Sequence, residues 1–175
     1  MANPQKPTPV RECGYDLVND GKFDEAMNLA NSCLLFDKKF TKSGWDTKAY
    51  CLVKMGKHKE AIAVLDRKLL FTPDDWWALN TKARRLSWYI QLPNEAIKAA
   101  NKYIRIAKNS KETRRIYDAY GIKALVLYNA GKYRQAIQWW KKSLQCKPLR
   151  QHLRENAKGG IERCMKALEW KNKSD

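Results

Sequence analysis

Cysteine and histidine are the side chains best suited to bind metals or to act as nucleophiles and bases, and their spacing in this chain favours neither role. The five cysteines are scattered over positions 13, 33, 51, 146 and 164 without a Cys-x-x-Cys pair, and the two histidines are His58 and His152. Zinc sites and catalytic pairs require such residues at short spacings or beside a partner base. We therefore expect no enzymatic activity, no metal and no cofactor, and we interpret the cysteines as packing residues of a cytoplasmic protein.

Lysine and arginine, which bind carboxylates and phosphates, are concentrated in the second half of the chain. Residues 1–75 hold 12 basic and 11 acidic residues, a balance of +1, whereas residues 76–175 hold 23 and 7, a balance of +16. After Pro93 a helical pattern extends to about Ser110, and its basic residues form one stripe: Lys98, Lys102, Arg105 and Lys108. This basic surface is either a solvated helix face or a surface that attracts acidic partners.

The elements that must position these residues come from an internal repeat. Residues 56–73 (GKHKEAIAVLDRKLLFTP) and 131–148 (GKYRQAIQWWKKSLQCKP) both open on Gly-Lys, close on Pro and share an Ala-Ile pair. Four alanines hold equivalent places at separations of 35, 35 and 40 residues: Ala26, Ala61, Ala96 and Ala136. A second helical pattern precedes each alanine, with small and apolar residues along one side of the helix.

Turn residues separate the two helical patterns of each unit. Glycine, which can adopt the left-handed conformation that ends a helix, occupies this place in the first, second and fourth units as Gly21, Gly56 and Gly131. The third unit has one extra residue and no glycine there, reading Ile90-Gln91-Leu92-Pro93. A separate Gly159-Gly160 pair is expected to loosen or bend the last helix.

This arrangement resembles the tetratricopeptide repeat, whose pattern is W-x2-L-G-x2-Y, then A-x3-F, then P. The second unit matches it with Trp45, Ala49, Leu52, Ala61, Leu65 and Pro73. The fourth unit matches it with Tyr120, Ala124, Leu127, Ala136, Trp140 and Pro148. The resemblance implies an all-α fold, a right-handed superhelical stack of antiparallel helix pairs. Four repeats are expected at about 7–41, 42–75, 76–116 and 117–148, after a flexible arm at 1–6 and before a capping helix and tail at 149–175.

Members of this family bind partners along a concave groove lined by the first helix of each repeat. The matching positions here are rich in Tyr, Trp and Arg, which are over-represented at binding hot spots. The predicted groove residues are Arg11, Tyr15, Asp46, Tyr50, Lys54, Trp77, Asn80, Arg84, Trp88, Asp118 and Tyr128. Trp77 and Trp88 have packing between units as an alternative role. The carboxylate clamp of the chaperone-binding members is not matched, because only Arg11 fits it.

Three functions are compatible with these features. We favour a non-enzymatic scaffold that binds a protein or peptide segment in its groove, an acidic segment because the second half is basic. The first alternative is binding of RNA or single-stranded nucleic acid through the basic second half, where Lys and Arg neutralise phosphates and Trp and Tyr stack on bases. The second alternative is self-assembly through an exposed terminal face. No apolar run approaches the roughly 18 residues of a membrane span, so membrane association is not expected.

Overall fold

Helices account for the regular structure of this chain. The computed structural model describes residues 10–36, 41–110, 112–147 and 150–174, and no strand occurs within those ranges. The helices are α1 (Val10–Asn19), α2 (Phe23–Phe36), α3 (Thr41–Lys54), α4 (His58–Phe71), α5 (Trp76–Arg85), α6 (Pro93–Asn109), α7 (Thr113–Asn129), α8 (Tyr133–Leu144) and α9 (Gln151–Ser174). The all-α prediction is confirmed. The predicted arm at 1–6 lies outside the described residues.

The first of two compact units, Met1–Pro73, contains α1 to α4. In this unit α3 packs against α1, α2 and α4. Small residues lie where the helices meet, because a large side chain would hold the two backbones apart. Ala26, Ala49 and Ala61 have no exposed surface. The repeated alanines of the sequence pattern are therefore the contact points between helices in this unit.

The second unit, Asp74–Asp175, contains α5 to α9. Each helix packs against the next, and α7 also contacts both α5 and α9. These contacts place α5, α7 and α9 side by side in one layer, with α6 and α8 in the other. The core between α7, α8 and α9 is built around the buried Trp140, as its place in the repeat predicted.

The last helix is unbroken from Gln151 to Ser174, although it contains the Gly159-Gly160 pair. A Cβ atom added at Gly160 would lie 2.6 Å from Nε1 of Trp140, well inside any tolerable contact. Gly160 therefore allows the indole of Trp140 to lie against the backbone of α9. The helix therefore continues through the pair without a break, and at Gly160 the missing side chain serves close packing; a bend at the pair stays a prediction.

The turns between the helices of a pair follow the predicted pattern. Gly21, Gly56 and Gly131 have φ angles of 77°, 75° and 70°, in the left-handed region that favours glycine. In the third pair, the extra residue is absorbed by a π-helical turn, Leu86–Ile90, that continues α5. Gln91 takes the left-handed conformation that glycine has elsewhere, with a φ of 57°. The wider π turn directs Trp88 outward, with 55% of its surface exposed.

None of the helices in the described ranges is both long and apolar enough to cross a lipid bilayer.

Candidate partner-binding groove

In the first unit, three of the predicted groove residues form an aromatic patch. The rings of Tyr15 and Tyr50 meet edge to face, with centroids 4.7 Å apart. The Tyr50 hydroxyl donates a hydrogen bond of 2.8 Å to Oδ1 of Asn19, and Nζ of Lys54 lies 5.5 Å from the centroid of the Tyr50 ring. This aromatic patch gives α1 and α3 a rigid surface with a cation at its edge. The side chain of Arg11 lies outside the described residues.

Asp46, another predicted groove residue, does not reach a surface. Its carboxylate is 2% exposed and forms an ion pair with Nζ of Lys68, which is 1% exposed. Water-excluded charges of this kind are tolerated when they neutralise each other. The assignment of Asp46 to the groove is therefore corrected: the residue ties α3 to α4. The sequence signal for this pair was the position of Lys68 itself, three residues after the buried Leu65 on the apolar side of α4.

In the second unit, the α5–α7–α9 layer encloses a cavity of about 190 Å³, which we call the groove cavity. Three predicted residues line it together: Arg84 and Trp88 near the end of α5, and Asp118 near the start of α7. Nε of Arg84 donates a hydrogen bond of 3.0 Å to Oδ1 of Asn80 one turn earlier, which orients the guanidinium. With Asn80 beside Arg84, the structure brings four of the predicted groove residues together.

Two residues of α9 complete the groove cavity and were missed by the sequence reasoning. Asn156 and Arg163 both line it, and they lie on one side of α9 because seven residues make about two helical turns. The last helix was interpreted only as a cap. The helix also contacts α7, in the layer that carries the groove cavity. Treating α9 as a further member of that layer could have identified Asn156 and Arg163.

The electrostatics of the groove cavity centre on Asp118. Burial raises the pKa of its carboxyl group, while the nearby Arg114 and Arg84 act in the opposite direction. Loss of hydration lowers the pKa of the Arg84 guanidinium, as does the adjacent Arg85, and Asp118 opposes this change. Beneath them, burial and the charge of Asp118 raise the pKa of Tyr103 to about 12, so its hydroxyl stays protonated. The cavity therefore contains two arginine side chains and one partly desolvated acid.

Two tryptophans lie on the surface of α5 and the π turn, and one of them, Trp88, lines the cavity. The exposed ring of Trp76 stacks on Tyr103 with centroids 6.4 Å apart, and the guanidinium of Arg115 lies 5.4 Å from the centre of the Trp76 ring. Trp88 lines both the groove cavity and an adjacent hollow of about 570 Å³ at the start of α6. Trp88 is exposed and Trp77 is half-buried, and their alternative role in packing stays a prediction.

The remaining predicted residues are found elsewhere. Tyr128 is half-buried against the α7–α8 core, with its ring 5.5 Å from that of Tyr133, and it does not line the groove cavity. The basic surface lies on α6, in the layer opposite to the groove cavity. Of its four residues, Lys98 forms an ion pair of 2.8 Å with Glu95, Lys102 is half-buried, and Arg105 and Lys108 are exposed.

The described side chains include no group of three or more His, Cys, Asp or Glu residues that could hold a metal ion.

Comparisons with known proteins identify the fold. No protein-family model matches the sequence, and no curated protein matches it. The TPR-like repeats of a putative kinesin light chain from Podosopora anserina superpose with a TM-score of 0.75 at 16% identity, covering 99% of this chain and 92% of theirs. A tetratricopeptide repeat protein from Parabacteroides merdae superposes with a TM-score of 0.67 at 18% identity, covering 96% of this chain and 65% of its own. MamA from Desulfovibrio magneticus RS-1 gives 0.63 at 19% identity, covering 95% of both chains. The chain therefore has the tetratricopeptide-like fold that its repeated pattern predicted.

Proposed function

We propose that this protein is a non-enzymatic scaffold that binds an acidic protein segment on the α5–α7–α9 layer of its second unit. The observation that carries the proposal is the groove cavity, which has Arg84 on one wall, Arg163 on another and the exposed Trp88 at its edge. Guanidinium groups hold carboxylates through two parallel hydrogen bonds. Arginine and tryptophan are also the residues that most often dominate the energy of protein interfaces.

Asp118 gives this cavity a second kind of contact. Its carboxyl oxygens accept hydrogen bonds, and a peptide backbone provides N–H donors at regular intervals. An extended segment can therefore place its acidic side chains on the two arginines and one of its N–H groups on Asp118. The amide of Asn156, which both donates and accepts, fits the same role on the opposite wall.

The aromatic patch of the first unit is proposed as a further contact surface for a protein partner. Tyr15 and Tyr50 hold each other in place, and the hydrogen bond to Asn19 fixes the second ring. Rigid tyrosines lose little conformational entropy when a partner covers them. Lys54 at the edge of the patch favours an acidic partner here as well.

Three of the cysteines are poorly suited to nucleophilic chemistry. Burial raises the pKa of the Cys51, Cys146 and Cys164 thiols. A thiol with a raised pKa is a poor nucleophile, because the reactive form is the thiolate. These three cysteines therefore suit packing rather than catalysis.

The test is a titration of fluorescein-labelled acidic peptide, with polyglutamate as the probe, followed by anisotropy. The groove variant is Arg84→Gln with Arg163→Gln, and the control is Lys98→Gln with Arg105→Gln on α6, which removes the same charge from the opposite layer. We expect the groove variant to weaken binding by about tenfold or more, or roughly 1.4 kcal/mol, and the control to have little effect. Equal weakening by both variants would show that only net charge acts, and the groove assignment would then be wrong.

A further inference from the structure

A second hollow lies on the other side of the second unit, among α6, α7 and α8. It has a volume of about 380 Å³, within the range of about 300–1,000 Å³ that is typical of ligand sites. Its principal lining residues are Lys108 at the end of α6, Ile116 and Tyr120 on α7, and Trp139 and Lys142 on α8. We call it the outer pocket. It shares no lining residue with the groove cavity.

Two aromatic rings and a cation define the geometry of the outer pocket. The rings of Tyr120 and Trp139 lie with their centroids 5.5 Å apart and their planes 52° apart. Nζ of Lys142 lies 4.3 Å from the centroid of the Trp139 ring, a cation–π contact. Trp139 is half-buried, so its ring is held in place by the α7–α8 core and still reaches the pocket.

The helices that flank the outer pocket are strongly basic. The α6 sequence, PNEAIKAANKYIRIAKN, carries four Lys or Arg residues and one Glu, and the α8 sequence, YRQAIQWWKKSL, carries three and no acidic residue. The basic surface of α6 ends at Lys108, which is itself part of the pocket wall. In the first unit α2, the second helix of its pair, has two acidic residues and no basic one. The positive charge is thus a property of the second unit, and α6 and α8 each contribute a net charge of +3 beside the outer pocket.

We propose that the outer pocket binds a base of single-stranded nucleic acid, with the basic surface of α6 following the phosphate backbone that leads to it. An aromatic face is sequence-tolerant in stacking, since every base has a π-face, and a positive groove tracks the phosphates. Lys108 and Lys142 lie on the pocket wall, where they neutralise the phosphates on either side of the stacked base. In a duplex the base faces are covered, so an unpaired strand is the form that fits.

An acidic protein segment is the competing occupant, and the aromatic pair argues against it. Carboxylates need only the lysines, whereas Trp139 and Tyr120 add contacts that an unpaired base uses and an acidic side chain does not. Apart from the Gln145 amide, the pocket wall offers mainly ring faces and ammonium groups, so we expect binding with little sequence preference.

The experiment titrates the full chain into a fluorescein-labelled oligouridylate of about 12 nucleotides at about 50 and 200 mM NaCl. Three variants separate stacking from charge. Trp139→Leu keeps an apolar side chain but removes the ring, Trp139→Phe keeps a smaller ring, and Lys108→Gln with Lys142→Gln removes two charges outside the core. Arg84→Gln with Arg163→Gln is the charge-matched control in the groove cavity. Thermal unfolding of each variant by circular dichroism shows that it is folded.

We expect Trp139→Leu to weaken binding by about fivefold to a hundredfold without changing the salt dependence, because it removes stacking but no charge. Trp139→Phe should recover part of this loss. The lysine variant should reduce the slope of log K against log salt by about 1.4, or about 0.7 for each phosphate contact. The groove control should bind oligouridylate much more tightly than the lysine variant does.

Four results would overturn the proposal. The first is no binding of the oligouridylate by the natural chain at about 50 mM NaCl. The second is equal loss of affinity in the lysine variant and the groove control, which would make the attraction a net-charge effect. The third is an unchanged affinity for oligouridylate in the folded Trp139→Leu variant or in the folded double lysine variant. The fourth comes from a parallel titration with polyglutamate. If the binding of polyglutamate depends on Trp139 as strongly as the binding of oligouridylate does, the pocket would be assigned to an acidic protein segment instead.

Discussion

Lys68 on α4 forms a buried ion pair with Asp46 on α3, and neither side chain has more than 2% of its surface exposed. Two charges in a water-excluded contact compensate each other only while both are present, because each alone would keep the full penalty of desolvation. The pair therefore fixes how α3 and α4 meet, and it explains why a residue at a groove position of the repeat is not on the surface.

The Lys68–Asp46 pair gives a prediction about the stability of the first unit. We expect Asp46→Ala to lower the free energy of unfolding by about 3–5 kcal/mol, since it leaves the Lys68 ammonium buried without its counter-charge. The double substitution of Asp46→Leu with Lys68→Met should lose far less. Urea unfolding followed by circular dichroism measures both, with Glu60→Ala on the exposed side of α4 as the control. If the double variant is as unstable as the single one, the cost lies in packing and not in the unpaired charge.

Two adjacent glycines of α9 give a prediction with its control built in. Gly160→Ala places a Cβ atom 2.6 Å from Nε1 of Trp140, so we expect overpacking to lower stability by about 1–3 kcal/mol. At Gly159 the nearest atom to an added Cβ is Nη1 of Arg163 at 3.6 Å, an ordinary contact. Gly159→Ala should therefore stabilise the helix by about 0.5–1 kcal/mol.

Melting temperatures of the two alanine variants check this prediction. Opposite shifts from neighbouring glycines in one helix would follow from the position of Trp140. Shifts in the same direction would mean that helix propensity alone controls this segment, and that α9 moves away from α8 at little cost.

The fold could be predicted from the sequence because its determinants recur. Four alanines occupy the same position in the four sequence repeats, and all of them are fully buried: Ala26, Ala61, Ala96 and Ala136. Close helix packing requires the same small residue at each contact, so the sequence signal for the fold occurs in all four repeats. The signal for the π turn occurs in only one repeat. An extra residue and a missing glycine marked the place, but the hydrogen-bonding pattern that absorbs the residue depends on neighbouring helices.

The candidate site could be predicted only in part. Arg84, Trp88 and Asp118 were found because repeat positions fix the direction of a side chain from its own helix. Asp46 was misassigned because its surroundings depend on Lys68, a residue of the neighbouring helix whose charge no repeat pattern specifies. Arg163 was missed for a related reason: the last helix does not carry the repeat pattern, so no groove position could be assigned to its residues.

The left-handed residue between α5 and α6 gives a prediction about backbone strain. Gln91 has a φ of 57°, a conformation that costs a side-chain-bearing residue about 1–2 kcal/mol relative to glycine. Gln91→Gly should therefore raise the stability of the second unit by up to about 1 kcal/mol, after allowance for the greater freedom of glycine in the unfolded chain. Gly131→Ala, at a φ of 70°, should lower it. Chemical denaturation midpoints measure both, and a destabilised Gln91→Gly variant would mean that the Gln91 side chain has a stabilising role that exceeds the strain.

Lys123 gives a prediction about pH. Only 6% of its surface is exposed, and burial, together with the charge of Lys132, lowers its pKa from the ordinary 10.5. Between the lowered pKa of the folded protein and 10.5, the unfolded chain binds more protons than the folded one, so stability rises with pH in that window. Below it, both states are protonated and the full penalty of burying the ammonium applies.

The Lys123→Met variant isolates this effect from the other lysines and from the tyrosines that titrate in the same range. It replaces the ammonium with an apolar group of similar length, so we expect it to be more stable than the natural chain near neutral pH. Its advantage should shrink as the pH is raised towards the ordinary lysine pKa of 10.5, because the natural lysine loses its proton at a lower pH in the folded protein than in the unfolded chain. Denaturation midpoints of both proteins across this range test the sign. An advantage that stays constant would mean that Lys123 remains charged in the folded protein, with its ammonium hydrated at the surface of α7.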